Sequence, residues 1–227
     1  VVKADGLASG KGVFICQSKK EVKKFSDKIF LGKFKSSKKL VLEEFLEGEE
    51  VSYFLIVDKN HFSFMGSAQD HKRVGENETG PNTGGMGAYS PAPIINKNLE
   101  KKIINKIVKP TLHALKEKKH PYTGFLYAGL MIKNNEPYLI EYNVRMGDPE
   151  CQVIMPRLKT DLVQLLKAAV ENKLDKVKIK WSKNKCMGTV ICAEGYPNKY
   201  RTNKKINLEN IHLTKKLTSA LSISLIG

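Results

Sequence analysis

A segment rich in glycine and proline lies near the middle of the chain and restricts the folds that are open to it. Residues 66–93 carry no apolar periodicity, and glycine and proline cluster between Gly75 and Gly87. Connections in compact domains usually have about 4–6 residues, and longer ones are often functional loops. We therefore expect a functional loop here, beginning a new part of the chain at residue 66.

Short apolar runs and helix-like spacings alternate on both sides of this segment. Before it, Leu40–Leu42 is predicted as a buried strand. After it, helical spacing runs over 98–118, with a bend expected at Pro110. Strand-like segments follow at 125–133 and 137–143 and predict a hairpin. These patterns together indicate a chain that contains both helices and strands.

The chain is strongly basic, with a formal charge of +16 from 39 Lys and Arg against 23 Asp and Glu. Such a charge can serve nucleic acids or anionic membranes. Only four of the basic residues are Arg, and Lys lacks the bidentate guanidinium favoured for reading phosphates and bases. We therefore expect no nucleic-acid partner. A basic nucleic-acid-binding module is the alternative from a different functional class.

The cysteines and the apolar runs bear on the compartment. Cys16, Cys151, Cys186 and Cys192 show no paired spacing, which disfavours a zinc site and a disulfide scaffold. No apolar run approaches the 18 or so residues of a membrane span, and the first residues lack the plan of a signal peptide. The expectation is reduced thiols, a cytoplasmic location and no membrane partner.

A glycine-rich segment near the start could hold phosphate. Glycine lets backbone N–H groups approach an anion, and lysine adds a charge. The spacing is not that of a Walker A loop, and a plain hairpin is an equally good interpretation. The candidate cofactor-binding residues of this segment are Lys3, Gly6, Ser9, Gly10, Lys11 and Gly12.

An acidic stretch follows the strand at Leu40–Leu42. A carboxylate at the end of a strand can accept from an exocyclic amine while the following backbone reads a base edge, and a later carboxylate can accept from ribose hydroxyls. A solvated acidic turn is an equally good alternative. The candidates for nucleotide binding are Glu43, Glu44, Phe45, Leu46 and Glu50.

The sequence Glu141-Tyr142-Asn143-Val144-Arg145 is the most informative motif. Strand alternation puts its first, third and fifth residues on one face at steps of roughly 6.5–7 Å. A carboxylate and an amide oxygen could then share Mg²⁺ beside a guanidinium. Tyr142 and Val144 are expected to face the core. An amphipathic edge strand is the alternative.

In this order, the three motifs resemble the ATP-grasp superfamily, and further segments resemble the phosphoribosylamine–glycine ligase family within it. The resemblance implies an α+β ATP-grasp fold, with two α+β lobes that clamp ATP, followed by the start of a small β-rich C-terminal domain. The implied parts are residues 1–65, 66–175 and 176–227. The segments that carry the narrower likeness are 69–73, 79–91, 122–129 and 147–150.

The resemblance implies ATP-dependent ligation of glycine to 5-phosphoribosylamine through a glycyl phosphate, the second step of de novo purine synthesis. ATP and Mg²⁺ or Mn²⁺ are the implied cofactors, and the two substrates are the implied small-molecule partners. A monomer is expected, with fusion to other purine enzymes as a second arrangement. The alternatives are another ATP-grasp carboxylate–amine ligase or carboxylase, and an inactive nucleotide-binding fragment.

The family likeness also implies residue roles. Glu141 and Asn143 would hold the metal with help from phosphates, because 128–132 lacks the acidic ligand that many ATP-grasp enzymes carry there. His71 is expected to be a structural hydrogen-bonding residue, with proton transfer as the alternative. The implied catalytic residues are Arg145, Asp70, Lys72 and Asp148, and the implied substrate-binding residues are Arg73, Asn82, Thr83, Gly85, Gly87 and Arg201.

Overall fold

The computed structural model describes residues 1–6, 12–34 and 37–203, and the backbone alone of 222–226. The chain divides into two compact units, Val1–Glu47 and Gly48–Gly227. This division lies earlier than the boundary expected after residue 65, because the strand that follows Gly48 belongs to the larger sheet. The described part of 176–227 also lies within the second unit, so the three-part division remains a prediction.

The first unit combines a small antiparallel sheet with one helix. Its strands are β1 (Val2–Ala4), β2 (Val13–Phe14) and β3 (Leu40–Leu42), in the order β2-β1-β3. Helix α1 (Lys19–Lys28) ends in a π-helical turn, Ile29–Lys33. Ser18 caps the helix by accepting a hydrogen bond from the Glu21 N–H at 3.3 Å. The prediction that Leu40–Leu42 is buried is wrong, since Val41 and Leu42 are 43% and 62% exposed.

The second unit is built on a larger sheet with the strand order β10-β9-β6-β5-β4-β7-β8. Neighbouring strands pair antiparallel, except for the parallel pair β9 and β10. The predicted hairpin at 125–133 and 137–143 is confirmed by β7 and β8. The strands are β4 (Glu49–Val57), β5 (Phe62–Gly75), β6 (Thr79–Ser90), β7 (Gly124–Lys133), β8 (Glu136–Asn143), β9 (Cys186–Cys192) and β10 (Ser222–Ile226).

Helices cover this sheet. The helix predicted over 98–118 is irregular before Pro110, where a π-helical turn, Ile104–Val108, separates two α-helices. Short 3₁₀ turns lie at Glu76–Glu78, Met155–Arg157 and Leu174–Lys176. The α-helices are α2 (Lys97–Ile103), α3 (Lys109–Glu117), α4 (Glu150–Ile154) and α5 (Leu162–Val170).

The core lies on both faces of β4, because alternate residues of a strand point to opposite sides. One face packs against α2 and the turn that follows it, and the other packs against α4 and α5. Burying each large apolar side chain contributes roughly 1.5–3 kcal/mol. The first face includes Val51, Tyr53, Leu55, Leu99 and Ile103, and the second includes Phe54, Ile56, Tyr127, Ile154 and Leu165.

The predicted loop at 66–93 is instead two long strands, β5 and β6. They pair from Gln69 opposite Tyr89 to Gly75 opposite Thr79, with register shifts on either side of Arg73. Gly75 lies opposite Thr79 in this pairing, where a Cβ would be 2.6 Å from Thr79 Oγ1. Gly80 takes a positive φ of 78° in the turn region, a conformation that costs glycine little.

Within the described part of the chain, no helix is both long and apolar enough to span a membrane.

Candidate active site

The described residues at the two ends of the glycine-rich segment belong to or adjoin the paired strands β1 and β2 of the first unit. β1 pairs with β2, and the Ala4 N–H donates to the Gly12 carbonyl at 2.8 Å. Gly6 donates its N–H to Ser37 Oγ at 2.9 Å. Ser9, Gly10 and Lys11 lie outside the described residues.

The acidic stretch of the first unit contacts the same hairpin. Lys3 Nζ lies 2.5 Å from Glu43 Oε2, so the candidate phosphate ligand and the candidate adenine acceptor form an ion pair. Glu44 is exposed and Phe45 is 49% exposed, while Leu46 is half-buried. The stretch 43–47 has no regular secondary structure, and the backbone of Glu43 exchanges hydrogen bonds with Val1.

In the second unit, two neighbouring strands bring a lysine between two carboxylates. Lys72 Nζ lies 3.0 Å from Glu50 Oε2 and 3.6 Å from Asp70 Oδ2. The Asp70 side chain is only 7% exposed, whereas the other two are about half exposed. Asp70 and Lys72, predicted to be catalytic, therefore lie together, and Glu50, predicted to contact ribose, joins them.

Electrostatics in this cluster favour a charged lysine. Partial burial alone would lower the pKa of Lys72, but Asp70 and Glu50 outweigh it and hold that pKa above its usual range. Burial raises the pKa of Asp70, and the nearby ammonium of Lys72 only partly offsets this effect. The neighbouring charges of Glu150 and Glu50 raise the pKa of Asp70 further. The cluster thus combines a stable cation with a carboxylate that is costly to ionise.

The end of the β5–β6 hairpin carries more of the predicted substrate residues. Arg73 donates from Nη1 to the Gly80 carbonyl at 2.7 Å and pairs in register with Asn82. Thr83 donates its hydroxyl to the Lys72 carbonyl at 2.8 Å and accepts from the Gly85 N–H at 3.0 Å. These contacts connect the hairpin to the Asp70–Lys72 region.

Gly85 and Asp148 are brought together by a close backbone approach. A Cβ on Gly85 would overlap Pro149 Cδ and would lie 3.5 Å from the Asp148 carbonyl oxygen. The Asp148 side chain is exposed at that turn and accepts from Gln152 Nε2 at 2.6 Å. Gly87 lies deeper, where a Cβ would be 2.6 Å from the Gly188 carbonyl oxygen of β9. Strand packing therefore accounts for glycine at position 87.

The end of β8 places Glu141 and Asn143 side by side. Asn143 Nδ2 donates to Glu141 Oε1 at 3.0 Å, as strand alternation predicted. Arg145 lies beyond the strand, is exposed and donates to the Met146 carbonyl. The prediction that Val144 faces the core is wrong, because the strand ends at Asn143 and Val144 is 71% exposed. Tyr142 does pack against the core.

The donor chemistry at this position fits a hard divalent cation. Glu141 supplies carboxylate oxygens, and the amide of Asn143 supplies an oxygen once it is turned, its orientation being an assignment. Among the described residues, no group of three or more His, Cys, Asp or Glu could hold a metal ion. Glu141 and Asn143 could supply two oxygen ligands to such a cation.

Two further predicted residues lie at the surface. His71 is exposed, and its Nδ1 lies 3.0 Å from Glu78 Oε1 within the hairpin. This contact agrees with the structural hydrogen-bonding role. Arg201 is exposed in a stretch without regular structure.

A buried network beside the acceptor residues was missed by sequence reasoning. Glu150 is 2% exposed, and its Oε1 lies 2.9 Å from Ser52 Oγ and 3.0 Å from Tyr127 OH. The two hydroxyls lie 2.8 Å apart. Burial, with the neighbouring charge of Glu150, raises the pKa of Tyr127 and keeps its hydroxyl protonated. The only sequence signal was the position of Glu150 at the end of the 147–150 motif.

The fold and these residues define an ATP-grasp domain. A family model described as phosphoribosylglycinamide synthetase, ATP-grasp (A) domain, matches residues 1–151. The chain belongs to this family.

Similar proteins agree with this membership. A phosphoribosylamine–glycine ligase from Vigna unguiculata is 47% identical over 227 residues, which cover 98% of this chain and 72% of that protein. One from Brucella melitensis is 49% identical over 198 residues, covering 87% of this chain and 46% of that protein. The crystal structure of a phosphoribosylamine–glycine ligase from Thermotoga maritima has a TM-score of 0.76 and 36% identity. That match covers 88% of this chain and 51% of the solved one, so the chain spans about half the length of these bacterial relatives.

Proposed function

We propose that this chain is the ATP-grasp part of an enzyme that ligates glycine to 5-phosphoribosylamine, giving glycinamide ribonucleotide, ADP and phosphate. The observation that carries the proposal is the 47% identity to the Vigna unguiculata ligase, across 98% of this chain. The clustering of Glu50, Asp70 and Lys72 on adjacent strands supports it. A monomeric state, a fusion to other purine enzymes and a cytoplasmic location stay predictions.

The chemistry needs positioning and charge stabilisation rather than a side-chain nucleophile. The glycine carboxylate attacks the γ-phosphorus of ATP, forming glycyl phosphate and releasing ADP. The nitrogen of phosphoribosylamine then attacks the acyl carbon, a C–N bond forms, phosphate leaves and the nitrogen loses a proton. The protein therefore has to hold three anionic groups, which are the ATP phosphates, the glycine carboxylate and the 5-phosphate of phosphoribosylamine. It also has to orient the two attacking atoms, the carboxylate oxygen and the amine nitrogen.

Nucleotide contacts are assigned to the glycine-rich segment, the acidic stretch and Glu50. Lys3, with the glycine-rich segment, would contact phosphates, since lysine is a point-charge ligand for them. Backbone and side chains at Glu43, Phe45 and Leu46 would contact adenine, and Glu50 would accept from ribose. The ion pairs of Lys3 with Glu43 and of Lys72 with Glu50 would then be exchanged for contacts with ligand.

The metal and the transferred phosphoryl group are assigned to the end of β8. Glu141 and Asn143 would hold Mg²⁺ or Mn²⁺, and Arg145 would face the phosphoryl group. A bound divalent ion neutralises phosphate charge. Mg²⁺ prefers oxygen ligands and is commonly shared between carboxylates and phosphates, which matches this short ligand set.

The acceptor substrates are assigned to the hairpin and the turn beside it. Asp70 would hold an ammonium or amine, while Lys72 and Arg73 would hold a carboxylate or the 5-phosphate. Asp148 lies at the turn against Gly85, which brings one more carboxylate next to the hairpin. Asn82, Thr83, Gly87 and Arg201 remain candidates for further contacts with the acceptor substrates.

The test is ADP release by the chain with MgATP, glycine and freshly generated phosphoribosylamine, each omitted in turn. Release that requires all three supports the ligase. Glu141→Ala should abolish release while leaving the melting temperature nearly unchanged. Glu136→Ala on the same strand is the matched control, because Glu136 pairs on the surface with Lys102 and Lys106. Normal turnover in Glu141→Ala would refute the metal assignment.

A nucleotide-binding fragment is the second candidate, favoured by the half-length coverage of the bacterial relatives. It predicts that MgATP raises the melting temperature although no combination of substrates releases ADP. A ligand that binds the folded state and not the unfolded state raises the melting temperature in this way. Another ATP-grasp ligase or carboxylase would release ADP with a different acceptor.

A further inference from the structure

Glu150 is a charged residue inside the core of the second unit. It opens α4, is 2% exposed, and receives hydrogen bonds at Oε1 from the hydroxyls of Ser52 on β4 and Tyr127 on β7. A carboxylate at this place fixes the start of α4 onto two central strands. The network is therefore structural at least in part.

These hydrogen bonds do not explain why the residue at position 150 is negatively charged. Both hydrogen bonds to Glu150 Oε1 come from neutral hydroxyl groups rather than from a cation. Burying a carboxylate without a cation partner costs several kcal/mol. A neutral amide would accept from the same two hydroxyls without that cost. The retained charge points to an electrostatic role.

The charge of Glu150 acts on the acceptor cluster. By strand alternation, Ser52 and Glu50 lie on one face of β4. Ala68 of β5 pairs opposite Ser52, and Asp70 lies on the same face of β5 as Ala68. Ala68 packs in the same core cluster as Ile154 of α4. The charge of Glu150 raises the pKa of Asp70 and adds to the effects of Asp70 and Glu50 on Lys72. The Lys72 ammonium thus pairs with Glu50 and Asp70 and also lies in the electrostatic field of the buried Glu150 carboxylate.

Glu150 also shapes the turn that carries Asp148. Its Oε2 occupies the space beside Gly147, which a Cβ on that glycine would otherwise fill. The Gly147 carbonyl accepts from the Cys151 N–H at 2.9 Å, and Pro149 contacts Gly85 of the hairpin. The Glu150 side chain therefore contacts both the turn and the sheet, and its charge acts on Lys72 and Asp70.

We propose that Glu150 is a positioning residue of the acceptor site, which acts through Lys72 and Asp70 and through the turn that carries Asp148. The inference rests on the proposed ligase function for its effect on glycine. Its electrostatic part is measurable without any substrate.

The first test is acylation of lysines by an N-hydroxysuccinimide ester, read residue by residue by mass spectrometry. Glu150→Gln keeps an acceptor for both hydroxyls and removes the charge. Lys72 should then hold its proton less tightly and react about threefold faster, because only the neutral amine is acylated. Lys173 serves as an internal reference, and Glu136→Gln as the control variant. An unchanged rate at Lys72 would overturn the inference.

The second test is steady-state kinetics well below the melting temperature. In Glu150→Gln, KM for glycine should rise about tenfold, the scale of one charge-assisted contact, while KM for ATP stays within about twofold. A purely structural Glu150 would lower the melting temperature and leave both KM values unchanged, which would also overturn the inference. If the unaltered chain releases no ADP, the proposed function fails, and lysine labelling alone decides the inference.

Tyr127→Phe provides an independent variant should Glu150→Gln fold poorly. It keeps the charge but removes one of the two hydroxyl donors, so the Glu150 carboxylate is held less firmly in place. Lys72 should then be acylated faster than in the unaltered chain but more slowly than in Glu150→Gln. Slower acylation than in the unaltered chain, or no change, would contradict the inference.

Discussion

Single residues decide how closely the hairpin meets the turn at Asp148. Gly85 has a φ of 129°, a region that side chains rarely adopt, and its missing Cβ leaves room for Pro149. Gly84 is its neighbour but has more space, since a Cβ there would meet the Tyr196 hydroxyl at an ordinary 3.6 Å. Adjacent glycines therefore have different reasons to be present.

This difference gives a matched prediction at the residue scale. Gly85→Ala should lower the free energy of unfolding by about 1–3 kcal/mol, because it combines backbone strain with a steric overlap at Pro149. Gly84→Ala should change it by less than about 0.5 kcal/mol. Urea denaturation without ligands measures both. Equal effects would refute the close approach of Gly85 to Pro149.

At the element scale, one carboxylate joins the β4–β5 turn to the segment after α5. Asp58 is fully buried and accepts from the N–H groups of Asn60, His61 and Leu174 at 2.8, 2.6 and 3.1 Å. Burial raises the pKa of Asp58, but these hydrogen bonds outweigh it and leave the pKa below its usual value. The ionised form is thus the one that the fold stabilises.

The pH dependence follows from that direction. Because the folded pKa of Asp58 lies below the unfolded one, its contribution is present above about pH 4 and is lost as pH falls through the folded value. Asp58→Asn should cost about 1–3 kcal/mol at neutral pH and flatten the acid limb of a stability–pH curve. Asp175→Asn, at a half-exposed carboxylate, should leave that limb unchanged. An unaltered acid limb in Asp58→Asn would contradict this account.

Elements differ in how far the sequence predicts them. β7 and β8 were predicted as the two strand-like segments of a hairpin, and the structure confirms them. β5 and β6 were taken for a loop because their glycines suit turns in general, whereas here they allow backbones to approach, as at Gly87. Whether a glycine serves a turn or a close approach depends on which strand lies opposite, and local sequence does not contain that information.

The same distinction applies to the candidate site. Asp70 and Lys72 were each implied as catalytic by the family resemblance, whereas the placement of Glu141 beside Asn143 followed from strand alternation. Glu150 could not be predicted, because a charged side chain becomes a core residue only when Ser52 and Tyr127, distant in the chain, supply its hydrogen bonds. Val144 was predicted to face the core because strand alternation was extended past Asn143. β8 ends at Asn143, and the sequence pattern did not indicate where the strand ends.

On the scale of the whole molecule, the net charge opposes compactness. The formal charge of +16 produces self-repulsion in the folded chain, which salt screens over about 10 Å at 0.1 M. The melting temperature should therefore rise between low salt and about 0.3 M NaCl. KCl should have the same effect, since screening does not depend on the cation. A fall with both salts would show that local ion pairs outweigh the net repulsion.

The burial of β4 on both faces has a consequence for how the molecule opens. Residues 52–57 are buried and paired on both edges, so their amide protons should exchange with deuterium only when the second unit unfolds globally. The hairpin end at 72–82 is largely exposed and should exchange through local fluctuations. The acceptor residues of the hairpin can therefore rearrange around a substrate at a small cost in free energy, while the amide protons of β4 stay protected from exchange.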